Sequence, residues 1–265
     1  MGMTGSLQSG LWRALIVLLY LFLLSPLIII LLISFNAESS LSFPPSAWSL
    51  HWYRDLVNND AFVNGFRVSV VLASITTLLA AVIGVPAAIA ITRYRFPGRD
   101  LFVTFFTLPL MVPGVVLGLG LLLVFSRLQL TATYPGLLAA HLIVTVPYVI
   151  RTVATSLITL NPDYEEAALS LGATPWRAFR RVTLPLIMPG VIAGAAIAFL
   201  VSFDEVVLTL FLVGPRLTTL PVEVFHYVEY RTDPQVAALS VVLVAISVVG
   251  VILIERALGL RRALR

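Results

Sequence analysis

Long apolar runs separated by short polar segments organise this chain. Ala14 to Ile33 is twenty residues without a charge, and comparable runs follow at about Val68–Ile91, Leu101–Phe125, Gly136–Thr155, Ile187–Val213 and Val236–Ile254. About 20 apolar residues cross the hydrocarbon core of a bilayer. The pattern therefore predicts an all-α, polytopic membrane protein with six transmembrane helices. The first run is longer than the roughly 7–15 residue core of a signal peptide, so it is read as an uncleaved span. Gly84 and Pro86 lie near one end of the second run, Pro109, Pro113 and Gly114 interrupt the third, and the fourth carries Pro147 and Arg151.

One polar stretch stands apart, Asn161 to Gly190, reading NPDYEEAALSLGATPWRAFRRVTLPLIMPG. Its punctuation predicts two short helices joined by a tight turn. Asn161 caps the first helix, and Pro162 suits its first position because the missing N–H would have been unpaired there. Asp163, Glu165 and Glu166 fall where the positive end of the helix dipole favours acid. Gly172 suits a left-handed residue just past the helix end. Thr174-Pro175 starts the second helix in the same way, and Pro185 and Pro189 are expected to break the chain again before the next apolar run. A helix-turn-helix at a membrane edge is a docking device.

Composition narrows the functional classes. Hydrophobic residues make up 59% of the 265 and charged residues only 11%, with a mean hydropathy of +1.01, which is a membrane-protein composition. The chain has no cysteine, so disulfides, thiolate nucleophiles and cysteine-based metal sites are excluded. It also has no lysine; all seventeen basic residues are arginine. A Walker A loop needs its lysine to reach the phosphates, so ATP chemistry must belong to another subunit. His51, His141 and His226 have no metal-ligand spacing and read as satisfied or exposed histidines. There is no HExxH, no GxSxG and no other catalytic constellation, which leaves an intramembrane enzyme without support.

Arginine placement orients the bundle. With the N-terminus inside, the inner ends hold Arg13, Arg93, Arg95, Arg99, Arg151, Arg177, Arg180, Arg181, Arg256, Arg261, Arg262 and Arg265. The outer ends hold Arg54, Arg67, Arg127, Arg216 and Arg231. Twelve against five is a positive-inside bias. It places both termini and the Asn161 loop in the cytoplasm. No basic stripe interleaves with aromatics, so no nucleic-acid partner is expected.

The fifth run contains Ser202-Phe203-Asp204-Glu205. Asp204 is nine residues before Val213, which puts it about 13 Å inside the outer end of a continuous helix at about 1.5 Å per residue. Intramembrane acids cost on the order of 2.5–3.5 kcal/mol at a helix centre and should not face lipid. Two readings stay open: a pathway or gate role, or a structural acid paired with arginine or with freed backbone N–H groups. The outer segment FPPSAWSLHWY, residues 43–53, carries Trp48, Trp52 and Tyr53 and reads as an aromatic belt at headgroup level.

The loop's spacing resembles the EAA loop of ATP-binding-cassette importer permeases. Glu166-Ala167-Ala168 is followed at the family's spacing by Gly172, Val182 and Leu184-Pro185, with Val182 standing where isoleucine is usual. By that resemblance the chain is a transmembrane subunit of a type I importer, similar to spermidine/putrescine permeases, and catalyses nothing itself. The resemblance implies that Glu165, Glu166, Ala167, Ala168, Gly172, Arg177, Val182, Leu184 and Pro185 form the coupling segment that sits in a groove of the ATPase. It also implies an ATPase dimer using ATP and magnesium, a second homologous permease subunit, a periplasmic solute-binding protein and a place in the bacterial inner membrane. No cofactor is expected on this chain itself.

The segment after the first run is similar to one that lies beside the docked binding protein in such permeases. The run from Ser202 to Phe225 resembles the polyamine-type fifth span, which favours a pathway role for Phe203, Asp204 and Glu205. The expected organisation is a tail, first span and outer ledge over residues 1–65, a transport domain over 66–255 with the coupling loop at 161–190, and a C-terminal tail over 256–265. The competing class is a self-contained secondary transporter or channel using Asp204 and Glu205 as a relay. Against it, six spans without an inverted repeat make half of a usual carrier.

Overall fold

Helices carry the fold, as the apolar runs predict. The structure is a computed structural model that describes residues 3–258, with side chains described over 12–250 and at 252. The side chain of Arg256 and all of Arg261, Arg262 and Arg265 lie outside the described residues, as does most of the expected C-terminal tail. In chain order the helices are α1 (Met3–Ile33), α2 (His51–Asn58), α3 (Asp60–Arg93), α4 (Arg99–Thr107), α5 (Gly114–Arg127) and α6 (Tyr134–Thr159). They continue as α7 (Asp163–Ser170), α8 (Pro175–Ala178), α9 (Leu184–Phe203), α10 (Val207–Leu210), α11 (Leu220–Tyr230) and α12 (Gln235–Leu258).

Among the described residues, four stretches are long and apolar enough to cross a bilayer alone: Trp12–Ile33, Asp60–Arg93, Tyr134–Thr159 and Pro175–Phe203. The expected third span departs from a single rod. It is two pieces bent by 104°, because Pro109 sits in a single 3₁₀ turn at Leu108–Leu110 and Pro113 is extended ahead of α5. Each proline removes a backbone donor and disfavours helix at the residue before it. The expected fifth span also differs. Its helix ends at Phe203, ten residues short of Val213, and a separate short helix follows. The last span is helical to Leu258, with a shorter apolar stretch, Gln235–Gly250, among its described residues.

Packing divides the chain into two units, Met1–Val63 with His226–Arg265, and Asn64–Phe225. In the first, α12 packs against α1 and α2. Beyond α1 the chain folds back on the buried Asn36, whose Nδ2 donates to Ser40 O and Ser42 Oγ, each at 3.0 Å. The Trp52 indole donates to Asn36 O at 2.7 Å. The aromatic ledge therefore splits: Trp52 is a buried peg, whereas Phe43 and Trp48 are exposed. The Tyr227 ring packs tilted against Phe62, with centroids 5.0 Å apart, and its hydroxyl donates to Asp233 Oδ2 at 2.7 Å. Burial, then the Asp233 carboxylate, push that hydroxyl up to about 12.

The second unit holds two apolar cores. One joins Ala80, Ala87, Ala88 and Ile91 of α3 with Val149, Val153 and Leu157 of α6 and Ile187 and Ala198 of α9. The other joins Val68 and Leu72 of α3 with Phe125, Leu137, Leu208, Leu212 and Leu217. The tightest pairing is α6 with α9. Gly190, Gly194 and Ala198 of α9 recur every four residues and are all buried, a stripe of small side chains that lets two backbones close. A Cβ on Gly194 would meet Thr152 Oγ1 at 2.3 Å and Val149 Cα at 3.1 Å.

Overpacking here should cost about 1–3 kcal/mol. Gly194→Leu is expected to lower the thermal midpoint and the yield of folded protein, whereas Gly120→Leu, at a glycine with nothing within 4 Å, leaves both near wild type. Equal behaviour of the two variants in a detergent melting series would contradict the packing assignment.

Candidate functional site

The Asn161–Gly190 loop is built as its sequence predicts over its first half. Asn161 Oδ1 accepts from the Asp163 N–H at 3.0 Å, and Pro162 O accepts from the Glu165 and Glu166 N–H groups at 3.0 and 3.2 Å. The first turn of α7 carries Asp163, Glu165 and Glu166. At its end the Ala173 N–H reaches Ala168 O at 3.0 Å and the Gly172 N–H reaches Leu169 O at 2.9 Å. That pair of bonds is a Schellman turn, and Gly172 holds the left-handed conformation it requires, with φ +85. Thr174 Oγ1 then caps α8 by accepting from the Arg177 N–H at 3.3 Å.

The second half corrects the expectation that Pro185 and Pro189 break the chain. From Pro175 to Phe203 the backbone is continuously helical, passing through a π-helical segment at Phe179–Thr183. The wider π turn lies directly ahead of Pro185, which has no N–H to give to the preceding turn. Pro185 occupies the first turn of α9 and Pro189 lies within it. The loop therefore connects stiffly to the fifth span.

The two adjacent acids face different ways. Glu166 and Ala167 are exposed, as are Gly172, Arg177 and Pro185, while Ala168, Val182 and Leu184 are half-buried. Glu165 turns inward: its Oε2 accepts from Thr183 Oγ1 at 2.9 Å and lies 3.6 Å from Arg93 Nη2 at the end of α3. Thr183 is buried, and the Nε and Nη2 atoms of Arg93 are buried with no hydrogen-bond partner. These groups border a cavity of about 720 Å³ lined also by Val85, Leu169, Trp176 and Phe179. Among the loop's exposed charged residues stand large apolar side chains: Leu171 is 89% exposed and Trp176 69%. Sequence reasoning did not single out Arg93, Thr183, Leu171 or Trp176. Arg93 entered only as an inner-end charge, and no local spacing joins it to Glu165.

The Phe203–Val206 break is the second feature. Asp204 ends α9, its N–H bonded to Leu200 O at 3.0 Å, and its side chain is exposed. The expected depth of about 13 Å along a continuous helix does not hold, because no helix continues past it. Glu205 Oε1 accepts from the Leu208 N–H at 2.8 Å, so its carboxylate caps α10. That is the structural alternative raised for these acids, an acid on backbone N–H groups freed by a break. Phe203 packs edge-on against Phe66, 6.1 Å between centroids, and stacks on Phe199 at 5.9 Å. His141 is fully buried and bridges the break, with Nδ1 2.8 Å from Ser202 Oγ and Nε2 3.1 Å from Thr209 Oγ1. It is a satisfied core histidine, as expected, but one that ties both sides of the break together.

These apolar helices, the stiff loop and the broken fifth span can be compared with known proteins. The family model described as "Binding-protein-dependent transport system inner membrane component" matches residues 80–260. The chain is 38% identical over 250 residues to the putrescine transport system permease protein PotI of Escherichia coli K12, covering 91% of this chain and 89% of that one. It is 33% identical to the spermidine/putrescine transport system permease protein PotC of the same strain, covering 88% of each. Among solved structures, a bacterial ABC transporter that imports the acidic polysaccharide alginate aligns over 98% of both chains, with TM-score 0.73 and 15% identity. A bacterial alginate ABC transporter in complex with a pentasaccharide-bound periplasmic protein aligns with TM-score 0.69 and 17% identity over 94% of this chain and 92% of that one.

The chain belongs to the family of binding-protein-dependent transport system inner membrane components. It is accordingly a multi-pass inner-membrane permease subunit of an ABC importer and a transport component, not an enzyme.

The cap geometry makes a direct prediction. Losing an N-terminal cap costs about 0.5–2 kcal/mol, so Glu205→Ala should lower the thermal midpoint of the purified subunit. Glu205→Gln keeps an oxygen for the Leu208 N–H and should stay closer to wild type. Identical midpoints for Glu205→Ala and wild type would remove the capping role.

Proposed function

We propose that this chain forms half of the solute pathway of an ATP-binding-cassette importer, with the Asn161–Gly190 loop facing the cytoplasm and docking on an ATPase subunit. The observation that carries the docking is the exposed face of Leu169, Leu171 and Trp176, presented on a turn that Gly172 fixes at φ +85. Burying such side chains against a partner is favourable at about 25 cal/mol per Å². The partner ATPase uses ATP and magnesium, a second homologous permease completes the pathway, and a periplasmic binding protein delivers the solute. Both termini lie in the cytoplasm. The organisation is an N-terminal span with its outer ledge at 1–65, the transport domain at 66–255 and a tail at 256–265.

The solute we propose is a polyamine such as putrescine or spermidine. Likeness to two polyamine permeases over most of the chain supports it. So does the exposed Asp204 carboxylate, since an acid in a low-dielectric pathway attracts a cation more strongly than in water. Glu205 contributes differently, through its cap on α10, and Phe203 through its packing on α3.

Three experiments test this. A β-branched residue cannot hold the left-handed position without strain, so Gly172→Val should abolish most solute uptake and binding-protein-stimulated ATP hydrolysis while membrane insertion persists. Normal uptake would contradict the coupling role. Asp204→Asn removes charge at constant shape and should lower putrescine uptake by roughly tenfold, about 1.4 kcal/mol, without loss of subunit assembly. Full uptake in Asp204→Asn, or a cognate binding protein that ignores putrescine and spermidine on titration, would overturn the solute assignment.

A further inference from the structure

We infer that Arg93 is a positioning residue through which α3 follows the coupling loop, so that α3 carries loop movement to the break after Phe203. The inference rests on reading the Asn161–Gly190 loop as the segment that engages the ATPase. Glu165 is the junction. Its Oε2 accepts from Thr183 in the π turn at 2.9 Å and faces Arg93 Nη2 at 3.6 Å. One carboxylate oxygen therefore joins three elements: α7 of the loop, the base of the fifth span and the inner end of α3. The tie is partly shielded, with about a quarter of the Arg93 side chain and a third of Glu165 exposed. Arg93 Nε and Nη2 have no hydrogen-bond partner among the described residues, where the Glu165 carboxylate is the acid paired with this charge. An ion pair shielded in this way is screened less than one at open surface.

From Arg93 the helix runs back to Phe66, about 40 Å at about 1.5 Å per residue. Along that length, which includes Pro86, it packs into two apolar cores. Ala80, Ala87, Ala88 and Ile91 pack in the core shared with α6 and α9, and Gly84 lies so close to α6 that a Cβ would meet Val149 Cγ1 at 2.8 Å. At the far end α3 touches the break from both sides. Phe66 packs edge-on against Phe203, immediately before Asp204. Val68 and Leu72 share a core with Leu208 and Leu212, just past Glu205, and Ser69 Oγ accepts from the Leu220 N–H at 2.9 Å. A displacement of the loop that Arg93 follows thus reaches the residues flanking the candidate pathway acid. Were Arg93 released, α7 could move on the ATPase without pulling α3.

The test uses the whole transporter, with its partner permease, ATPase and binding protein, in liposomes, and reads solute taken up per ATP hydrolysed. A residue needed only for folding would lower both quantities together; a coupling residue lowers their ratio. Arg93→Gln and Glu165→Gln should each lower the ratio roughly tenfold while ATP hydrolysis continues. The exchange Arg93→Glu with Glu165→Arg should recover much of it. Wild-type ratios in both neutral variants would overturn the assignment, as would an exchange no better than the single variants. If a neutral variant fails to assemble, the exchange alone decides by the same ratio, and an exchange that neither assembles nor couples counts against the tie. Normal uptake in Gly172→Val would instead remove the coupling reading beneath it and leave Arg93–Glu165 as a packing contact.

Discussion

The close approach of α6 and α9 is the contact on which the rest of the transport unit depends. Gly190 and Gly194 remove side chains where Ser156 and Thr152 stand, and the hydroxyls of those two residues are spent on carbonyls of their own helix. The interface is therefore small and satisfied, which is what association in lipid requires when burial of apolar surface offers no driving force. Both candidate sites hang from this pair. The loop leaves the end of α6 and returns as the start of the α8–α9 rod, and the break lies at the other end of α9. A shift in how α6 and α9 meet would move both.

Breaking a helix frees backbone groups that must find partners, and the residues around Phe203 answer that problem in two ways. Glu205 takes the Leu208 N–H, and His141 spans from Ser202 to Thr209. The polar residues at this point thus divide their work. Glu205 and His141 hold the break in shape, which leaves Asp204 as the acid free of those duties. The break needs no lipid-facing polar backbone if it is buried in protein or lines a cavity. That condition fits a pathway formed between two permease subunits.

Much of this was legible in sequence, for physical reasons. Apolar run length gave the helices, because lipid imposes a minimum length on a span. The caps of α7 were readable because Asn161, Pro162 and Gly172 each answer a local backbone demand, and the Schellman turn at Gly172 follows from them. What could not be read was long-range. The run Ile187–Val213 looks continuous in hydropathy, yet it bends after Phe203, where tertiary partners such as His141, 61 residues away from Ser202, can satisfy a broken end. Pro185 looked like a stop because the π turn ahead of it has no clear signature in the residues themselves. The inward turn of Glu165 was invisible for the same reason: its partners, Arg93 and Thr183, come from other elements. The outer ledge was read as three equivalent rings, and only the fold-back on Asn36 separates buried Trp52 from exposed Trp48.

The proposed docking requires the loop's exposed apolar side chains to be covered by an ATPase subunit. The absence of cysteine from the chain makes Leu171→Cys a single reporter at the most exposed large side chain of that face. Its rate of modification by a maleimide should be high in the isolated permease and fall strongly when the cognate ATPase is bound, with a control cysteine at Val57, on the exposed surface of α2, unchanged. Equal modification of Leu171→Cys with and without the ATPase would contradict docking through this face.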